Sequence, residues 1–289
     1  MTTFKNRLEK MSRINKSLLC IGLDPYPKYM PIKDVFKFNQ TIIDCTYDLV
    51  CAYKPNIAFY EALGWDGLNA LEKTISYIRT NAPTVPIIGD GKRGDIIPTN
   101  EAYAKALFEF WDFDATTINP FSGLETITPF LNYPEKCAFI WCRSSNISID
   151  DRNHLQSAII NKSNSLSQHI ADTILDKSNP IFKNSINTLG LIIGANHLNL
   201  LRHIRSINKK IPILLPGIGA QKGNLKNALM EGLGTGLGTL IINSTRSIIY
   251  PSSSKSNFQN QIRLSAKNFN NELNSLLLHH MEWDWLSLK

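Results

Sequence analysis

Eight short apolar runs recur along the 289-residue chain, and each is followed by a segment with apolar residues at helical spacing. The runs are Leu18–Leu23, Leu49–Tyr53, Val85–Ile88, Ala115–Ile118, Cys137–Cys142, Leu189–Gly194, Ile211–Leu215 and Thr239–Ile242. Continuous apolar strands that alternate with amphipathic helices are typical of a parallel sheet covered by helices. A count of eight predicts an α/β fold that closes into a (β/α)₈ barrel. An open doubly wound sheet is the alternative, but no G-x-G-x-x-G motif follows the first run.

The predicted helices include a lead-in helix before the first strand and a long final helix. They cover residues 4–14, 34–48, 65–80, 99–111, 122–132, 165–176, 198–208, 222–231 and 257–281, with Thr99 or Asn100 as the N-cap of the helix ending at 111. A barrel needs roughly 250 residues, so we expect residues 1–289 to form one domain. The Ser- and Asn-rich region 146–188 is predicted to be a long polar loop with one helix, inserted after the fifth strand.

Composition limits the classes of protein to which the chain can belong. The five cysteines are odd in number and form no C-x-x-C pair, which predicts reduced, buried thiols and neither a disulfide framework nor a zinc site. Residues 1–16 are polar and amphipathic, so we expect no secretory signal and no membrane span. These features together predict a soluble protein of the cytoplasm.

The net charge of +7 comes from 31 Lys and Arg against 24 Asp and Glu. The basic residues are scattered, and no basic block interleaved with aromatic residues occurs. The charge therefore favours a small anionic ligand, such as a phosphorylated metabolite, over nucleic acid.

Polar residues collect where the predicted strands end, which is where barrels of this kind hold their chemistry. They are Asp24, Lys54, Asn56, Asp90, Lys92, Asn119, Ser144, Gln221 and Arg246. The third strand ends in Gly89–Asp95, where Asp90 and Lys92 are two residues apart and leave a strand from the same face. Such a pair is either a salt-bridged polar turn or part of a reactive centre.

Lys54, Asp90, Lys92 and Asp95 are expected to form an alternating row of ammonium and carboxylate groups. Neighbouring carboxylates keep a lysine charged. A charged lysine beside a reacting carbon stabilises a developing carbanion and then donates its proton. No Cys/His pair, Ser/His/Asp order or carboxylate cluster for a metal competes with this row in the sequence.

The segment Pro216–Gln221 combines glycines with a following helix, so its backbone N–H groups suit a phosphate. Arg246 follows the next strand and can make a bidentate contact to the same group. The alternative is a glycine-rich turn beside a surface arginine.

Asp90–Asp95 resembles the D-x-K-x-x-D signature of the orotidine 5′-phosphate decarboxylases, in the K-R-G-D-I form of their second type. Six other motifs match this family in the same order: Gly22–Pro25, Lys54–Asn56, Asn119–Pro120, Ser144–Asn146, Pro216–Gln221 and Asn243–Arg246. The resemblance covers nearly the whole chain. It implies a cofactor-free homodimer that converts orotidine 5′-phosphate to uridine 5′-phosphate in pyrimidine synthesis.

The resemblance also implies a role for each residue that matches a motif. Lys92 is expected to protonate C6 of the pyrimidine, and Asp90 to lie against the departing carboxylate. The ribose is expected to meet Lys54 and Asp24, and Ser144 to bind the pyrimidine edge. The remaining expected substrate-binding residues are Asn56, Asn119 and, for the phosphate, Gly217, Gln221 and Arg246. Asp95, with Ile96 and Thr99, is expected to reach into the neighbouring subunit's site.

The sequence departs from the family pattern in three places. Ile97–Pro98 replaces the small residues often found after K-R-G-D-I, so the family pattern does not predict the backbone path from Asp95 to Thr99. Lys222 stands where glycine is common, and Ser144 where some members have threonine. None of these changes removes a charged residue of the expected row.

Three other functions compete with this assignment. Sugar-phosphate decarboxylases and hexulose-phosphate synthases share D-x-K-x-x-D but bind Mg²⁺ through an acidic residue at the second strand end, where this chain has Lys54. A catalytically silent phosphate-binding barrel conflicts with the presence of Asp90, Lys92 and Asp95. An RNA-binding protein conflicts with the lack of a concentrated basic face.

Overall fold

A computed structural model of the chain describes residues 2–146, 155–161, 164–185, 187–218, 224–251 and 257–281. Ten strands lie within these ranges. They are β1 (Leu19–Leu23), β2 (Ala52–Pro55), β3 (Ile88–Arg93), β4 (Ala115–Ile118), β5 (Cys137–Arg143), β6 (Ile159–Asn161), β7 (Asn164–Ser165), β8 (Leu189–Ile193), β9 (Ile213–Leu215) and β10 (Leu240–Ser244). Strands β6 and β7 pair with each other as an antiparallel hairpin, apart from the main sheet.

The other eight strands form one parallel sheet in the order β2-β1-β10-β9-β8-β5-β4-β3. The two end strands also meet, because the Tyr53 N–H donates to the Pro86 carbonyl at 3.0 Å. Isolated parallel bridges join Tyr53 to Ile87 and Asn56 to Asp90 at the same seam. The sheet therefore curls round into a barrel, and the fold prediction is confirmed.

Eleven α-helices surround or close this barrel. They are α1 (Phe4–Asn15), α2 (Val35–Thr46), α3 (Ile57–Glu61), α4 (Gly64–Asn81), α5 (Ile97–Lys105), α6 (Thr128–Leu131), α7 (Leu166–Leu175), α8 (Leu198–Ile207), α9 (Leu225–Gly232), α10 (Arg246–Ile249) and α11 (Phe258–Met281), counted within the described ranges. Several of these helices begin at a residue whose side-chain oxygen accepts a backbone hydrogen bond, as is favoured at the N-cap position. Asp34 caps α2, Ser165 caps α7 and Asn224 caps α9.

Alternate residues of each strand point into the barrel and form an apolar layer there. This layer includes Cys20, Ala52, Ile88, Ala115, Phe139, Ile192, Leu214 and Ile241, all of them buried. Phe4 and Leu8 of α1 belong to the same cluster, and the Phe4 ring packs edge-on against Phe139 at 5.7 Å between centroids. Helix α1 therefore closes the amino-terminal end of the barrel and leaves the carboxyl ends of the strands for a ligand.

Two predicted strands end too early. The second was predicted at 49–53 but is Ala52–Pro55, and the third continues through Asp90 and Lys92 to Arg93. The apolar run predicted for the second strand stopped before Lys54, and the run predicted for the third stopped before Gly89 and Asp90. In the barrel these charged side chains are paired with one another, so the strands extend through them.

The loop after β3 also differs from the prediction. Helix α5 begins at Ile97 with Pro98 in its first turn, so the predicted N-cap at Thr99 or Asn100 is wrong. The Asn100 side chain instead accepts from the Asp95 N–H at 2.9 Å and donates to the Asp95 and Thr126 carbonyls. Asn100 therefore fixes the loop that carries Asp95.

Two further segments differ from the prediction: one has a shorter and irregular helix, and the other has more structure than expected. The predicted helix 122–132 is a 3₁₀ turn, Leu124–Ile127, followed by the single turn of α6. The described part of region 146–188 contains the β6–β7 hairpin as well as α7. No helix among the described residues has both the length and the apolar character needed to cross a membrane.

Candidate active site

A cavity of about 530 Å³ opens at the carboxyl ends of the barrel strands. Its wall includes Asp24 after β1, Lys54 of β2, Asp90 and Lys92 of β3, and Arg246 of α10. A deeper space of about 300 Å³ adjoins it and shares Lys54, Asp90 and Lys92. Thr117, Trp141, Ile192 and Leu214 line this deeper part. The charged residues therefore lie where a polar outer cavity meets a more apolar floor.

Asp90 lies between two ammonium groups. Its Oδ2 accepts from Lys54 Nζ at 2.7 Å, and its Oδ1 accepts from Lys92 Nζ at 2.6 Å. The side chains of Lys54 and Asp90 are 6% and 8% exposed, whereas that of Lys92 is 39% exposed. Lys92 is thus the member of the row that faces the open cavity.

The backbone of β3 is irregular at this point. Lys92 has φ of +46°, a left-handed conformation that is unfavourable for a residue with a Cβ atom. The pairing of β3 with β4 shifts register between Gly89 and Arg93, as it does at a β-bulge. The bulge alters how Lys92 leaves the strand, and its ammonium still reaches the Asp90 carboxylate.

Burial and the neighbouring charges shift the pKa values of Asp90 and Lys54 in opposite directions. Burial alone raises the pKa of Asp90, but Lys54 and Lys92 outweigh it, so the pKa of Asp90 lies below its usual value. Burial alone lowers the pKa of Lys54, but Asp90 and Asp24 outweigh it, and the net shift is upward. Both groups are therefore ionised at neutral pH.

Asp24 lies close to the row but lacks a full set of partners. Burial is the largest influence on its pKa and raises it, while Lys54 opposes the shift. Its buried Oδ1 has no hydrogen-bond partner among the described residues, and the same holds for Oδ1 of Asn243, which lines the same cavity. Unpaired buried acceptors are unfavourable, so a ligand hydroxyl that donates to them would be bound.

Aromatic side chains form one wall of the cavity. Tyr26, Tyr29, Phe59 and Tyr250 line it. The Tyr250 hydroxyl donates to the Asp24 carbonyl at 2.6 Å and accepts from the Tyr26 N–H at 2.7 Å. Tyr250 thereby ties the end of α10 to the loop after β1.

The expected phosphate-binding residues lie partly within the described ranges. Gly217 and Arg246 line the same cavity as Lys92, and Gly217 has φ of +97°, which favours glycine. Gln221 lies outside the described residues. Asn56 also lines the cavity, and its side chain accepts from the Ala58 N–H at the start of α3.

Asp95, Ile96 and Thr99 do not line the cavity of their own chain. The Asp95 carboxylate accepts from the neighbouring Ile96 N–H at 2.7 Å, and Ile96 is 60% exposed. Among the residues described, the row within one chain therefore consists of Lys54, Asp90 and Lys92, and Asp95 points elsewhere.

Asn119 and Ser144 lie to the side of the main cavity. Both line an adjacent apolar space, and Ser144 also borders the deeper floor. The Asn119 side chain accepts from Phe121 N–H, and the Ser144 hydroxyl accepts from Asn146 N–H. Ser145 and Asn146, rather than Ser144, line both parts of the main site.

Within the described part of the chain, no group of three or more His, Cys, Asp or Glu side chains is placed to hold a metal ion. The acidic residues of the site, Asp24 and Asp90, are instead close to lysine ammonium groups.

Comparison with known proteins identifies the family. The model of the orotidine 5′-phosphate decarboxylase / HUMPS family matches residues 17–258. The chain belongs to this family. The orotidine 5′-phosphate decarboxylase of Verminephrobacter eiseniae is 38% identical over 253 residues, which cover 86% of this chain and 89% of the relative. That of Roseiflexus sp. is 37% identical over 282 residues, covering 96% and 99%.

Solved structures of the family have the same fold. The structure of Leishmania donovani OMP decarboxylase matches with a TM-score of 0.78 and 29% identity, over 95% of this chain and 98% of that one. The Toxoplasma gondii structure, described as a putative orotidine-monophosphate-decarboxylase, matches with a TM-score of 0.80 and 30% identity, over 95% and 96%.

Sequence reasoning gave no role to several cavity-lining residues of this family member. Tyr26, Tyr29 and Tyr250 were not singled out at all, and Ser145, Asn146, Asn243 and Thr245 stand in matching motifs but were not named as site residues. Asn243 could have been found, because it is two residues beyond the inward-facing Ile241 on β10. Tyr250 gave no such signal, since its contact with Asp24 joins residues 226 positions apart.

The lowered pKa of Asp90 predicts how stability depends on pH. The ionised carboxylate stabilises the folded state above the pKa of the unfolded chain, about 3.9, and this contribution falls as the pH drops towards the folded value. The difference in unfolding free energy between wild type and Asp90→Asn should therefore narrow by about 1 kcal/mol from pH 6 to pH 3. Urea unfolding at several pH values measures it.

Asn56→Ala is the control for this prediction, because it alters the same cavity without removing a titratable group. Its difference from wild type should stay constant over the same pH range. A constant difference for Asp90→Asn as well would contradict the lowered pKa.

Proposed function

We propose that the protein decarboxylates orotidine 5′-phosphate to uridine 5′-phosphate, with Lys92 as the acid that protonates C6 of the pyrimidine. The observation that carries the proposal is the buried Asp90 carboxylate held by Lys54 and Lys92 at the bottom of a cavity that also contains Arg246. Family membership supports the same reaction, a carbon–carbon lyase step in pyrimidine synthesis.

The two parts of the cavity fit the two ends of this substrate. The phosphate would lie at Gly217 and Arg246, and Gln221, four residues after Gly217 in the sequence, is expected to join them. The ribose hydroxyls would donate to Asp24, whose Oδ1 has no other hydrogen-bond partner among the described residues, and would meet Lys54. The pyrimidine would enter the deeper space beside Thr117 and Trp141, within reach of Ser144 and Ser145. Asn56 and Asn119 complete the expected binding residues.

The reaction breaks the bond between C6 and the carboxylate, and the electron pair stays on C6. In the bound substrate the carboxylate lies near Asp90, so two negative charges are close together. As CO₂ departs, negative charge moves from the carboxylate to C6, where the Lys92 ammonium stabilises it. This interaction is stronger in the transition state than in the ground state, which is the condition for catalysis.

The Lys92 ammonium then transfers a proton to C6 and forms the new C–H bond. The neutral amine regains its proton from solvent, to which the 39% exposed Lys92 side chain has access. Contacts to the phosphate do not touch the reacting carbon, and they contribute by orienting the substrate.

We further infer that the active enzyme is a homodimer in which Asp95 of one subunit completes the row of the other. Asp95 lies outside its own cavity, and the adjacent Ile96 and Ile97 are 60% and 43% exposed. Exposed branched apolar residues beside a carboxylate suit a subunit contact. Ile96 and Thr99 would accompany Asp95 into the neighbouring site. A cytoplasmic location, expected from the reduced cysteines, also stays a prediction.

A magnesium-dependent sugar-phosphate reaction is the second candidate, because the family description also includes the HUMPS branch. The Lys54 ammonium opposes it, since a fixed positive charge within 2.7 Å of Asp90 disfavours a cation at that carboxylate. Loss of absorbance at 285 nm from orotidine 5′-phosphate, in the presence of a chelator, separates the two reactions.

Lys92→Ala should lower kcat by at least about a hundredfold, because the variant loses both the charge next to C6 and the proton donor. The 285 nm assay measures it. Lys73→Ala, an exposed lysine of α4, is the matched control and should keep the wild-type rate. A Lys92→Ala enzyme as fast as wild type would refute the assignment of Lys92, and an inactive wild type would refute the activity itself.

The shared site makes a separate prediction. Lys92→Ala and Asp95→Ala homodimers should each be nearly inactive, whereas a mixture refolded or co-expressed at equal amounts should regain about a quarter of wild-type activity. Half of the dimers are then mixed, and each mixed dimer has one intact site of two. Activity of the mixture no greater than the mean of the two variants would contradict a shared site.

A further inference from the structure

Thr117 of β4 lies where the pairing between β3 and β4 is interrupted. Gly89 pairs with Thr116 and Arg93 pairs with Ile118, so three residues of β3 face Thr117 alone. The Thr117 side chain makes contacts that the regular ladder does not provide. Its Oγ1 accepts from the Lys92 backbone N–H at 2.9 Å and contacts Oδ1 of Asp90 at 2.8 Å.

The direction of both hydrogen bonds is fixed by chemistry. A backbone N–H only donates, so the Thr117 oxygen must accept from Lys92. An ionised carboxylate only accepts, so the single hydroxyl proton of Thr117 must point to Asp90. The hydroxyl therefore links the backbone of Lys92 to the side chain of Asp90. Threonine or serine is needed for both contacts.

Lys92 needs such support. Its left-handed φ of +46° is unfavourable for a residue with a side chain, and such conformations persist where surrounding contacts hold them. Thr117 is 0% exposed and supplies a backbone contact at that residue. The Thr117 hydroxyl donates to Oδ1 of Asp90, and the same oxygen also accepts the hydrogen bond from Lys92 Nζ.

We propose that Thr117 is a positioning residue for the decarboxylation, whose hydroxyl holds Lys92 and the Asp90 carboxylate in the orientation that directs the ammonium to C6. The inference rests on the proposed function and adds to it a residue that does not itself contact the reacting carbon. Without the hydroxyl, the Lys92 N–H loses its acceptor. Asp90 loses one of the three side-chain donors that it has among the described residues, while both charged side chains are still present.

Thr117→Val replaces the hydroxyl with a methyl group of similar size. We expect kcat for orotidine 5′-phosphate to fall about ten- to a hundredfold, with KM and the affinity for uridine 5′-phosphate changed less than about threefold, since the phosphate and ribose contacts are intact. Thr117→Ser should keep kcat within about threefold of wild type.

Thr116→Val is the matched control. Thr116 is the preceding residue, is equally buried, and its hydroxyl donates to the Gly89 carbonyl at 2.9 Å rather than to the charged row. The Thr116→Val variant should have a changed thermal stability but no selective loss of kcat. If Thr117→Val does not fold, Thr117→Ser and Thr117→Ala decide, because both lack the methyl group and differ in the hydroxyl alone.

Two results would overturn the inference while the wild type is active: a Thr117→Val or Thr117→Ala enzyme with kcat equal to that of Thr117→Ser, or a loss of kcat matched by Thr116→Val. A wild type that releases no CO₂ from orotidine 5′-phosphate would instead overturn the proposed function.

Discussion

The ionised carboxylate of Asp90, held between Lys54 and Lys92, is the interaction on which the site depends. Lys54 belongs to β2 and Asp90 to β3, the two strands at the ends of the hydrogen-bonded order. They meet because the sheet closes, with Tyr53 N–H donating to Pro86 at the seam. An open sheet of the same strands would separate the two charges. Closure of the barrel therefore also brings the charged row together.

The layers of the barrel set the surroundings of this row. Below it lie the apolar side chains of the inner layer and the Phe4 ring of α1, which keep water from the buried side of Asp90. Above it lies the cavity with Arg246 and the aromatic wall. A charge interaction is stronger next to a weakly polarisable interior than in water. The charge interactions of Lys54, Asp90 and Lys92 are therefore strongest at the floor of the cavity, where we place the pyrimidine.

The fold was predictable because the periodic apolar pattern repeats eight times, and most helices began and ended near their predicted positions. The strand ends were less predictable, since Lys54 and Asp90 lie inside strands that the apolar pattern alone would end before them. Thr117 was placed on the correct strand, but its role depends on a register shift between β3 and β4 that the residues do not signal. The place of Asp95 depends on a second subunit, so its role stays a prediction, as do the roles of the other site residues.

The most direct test of the account is the rate of Asp90→Asn, which keeps the shape of the side chain and removes its charge. kcat and the affinity for orotidine 5′-phosphate should be measured separately. If Asp90 acts by opposing the substrate carboxylate and orienting Lys92, kcat should fall by at least about a hundredfold, equivalent to about 2.7 kcal/mol, while the substrate binds no more weakly. A variant with kcat within about threefold of wild type would contradict the account.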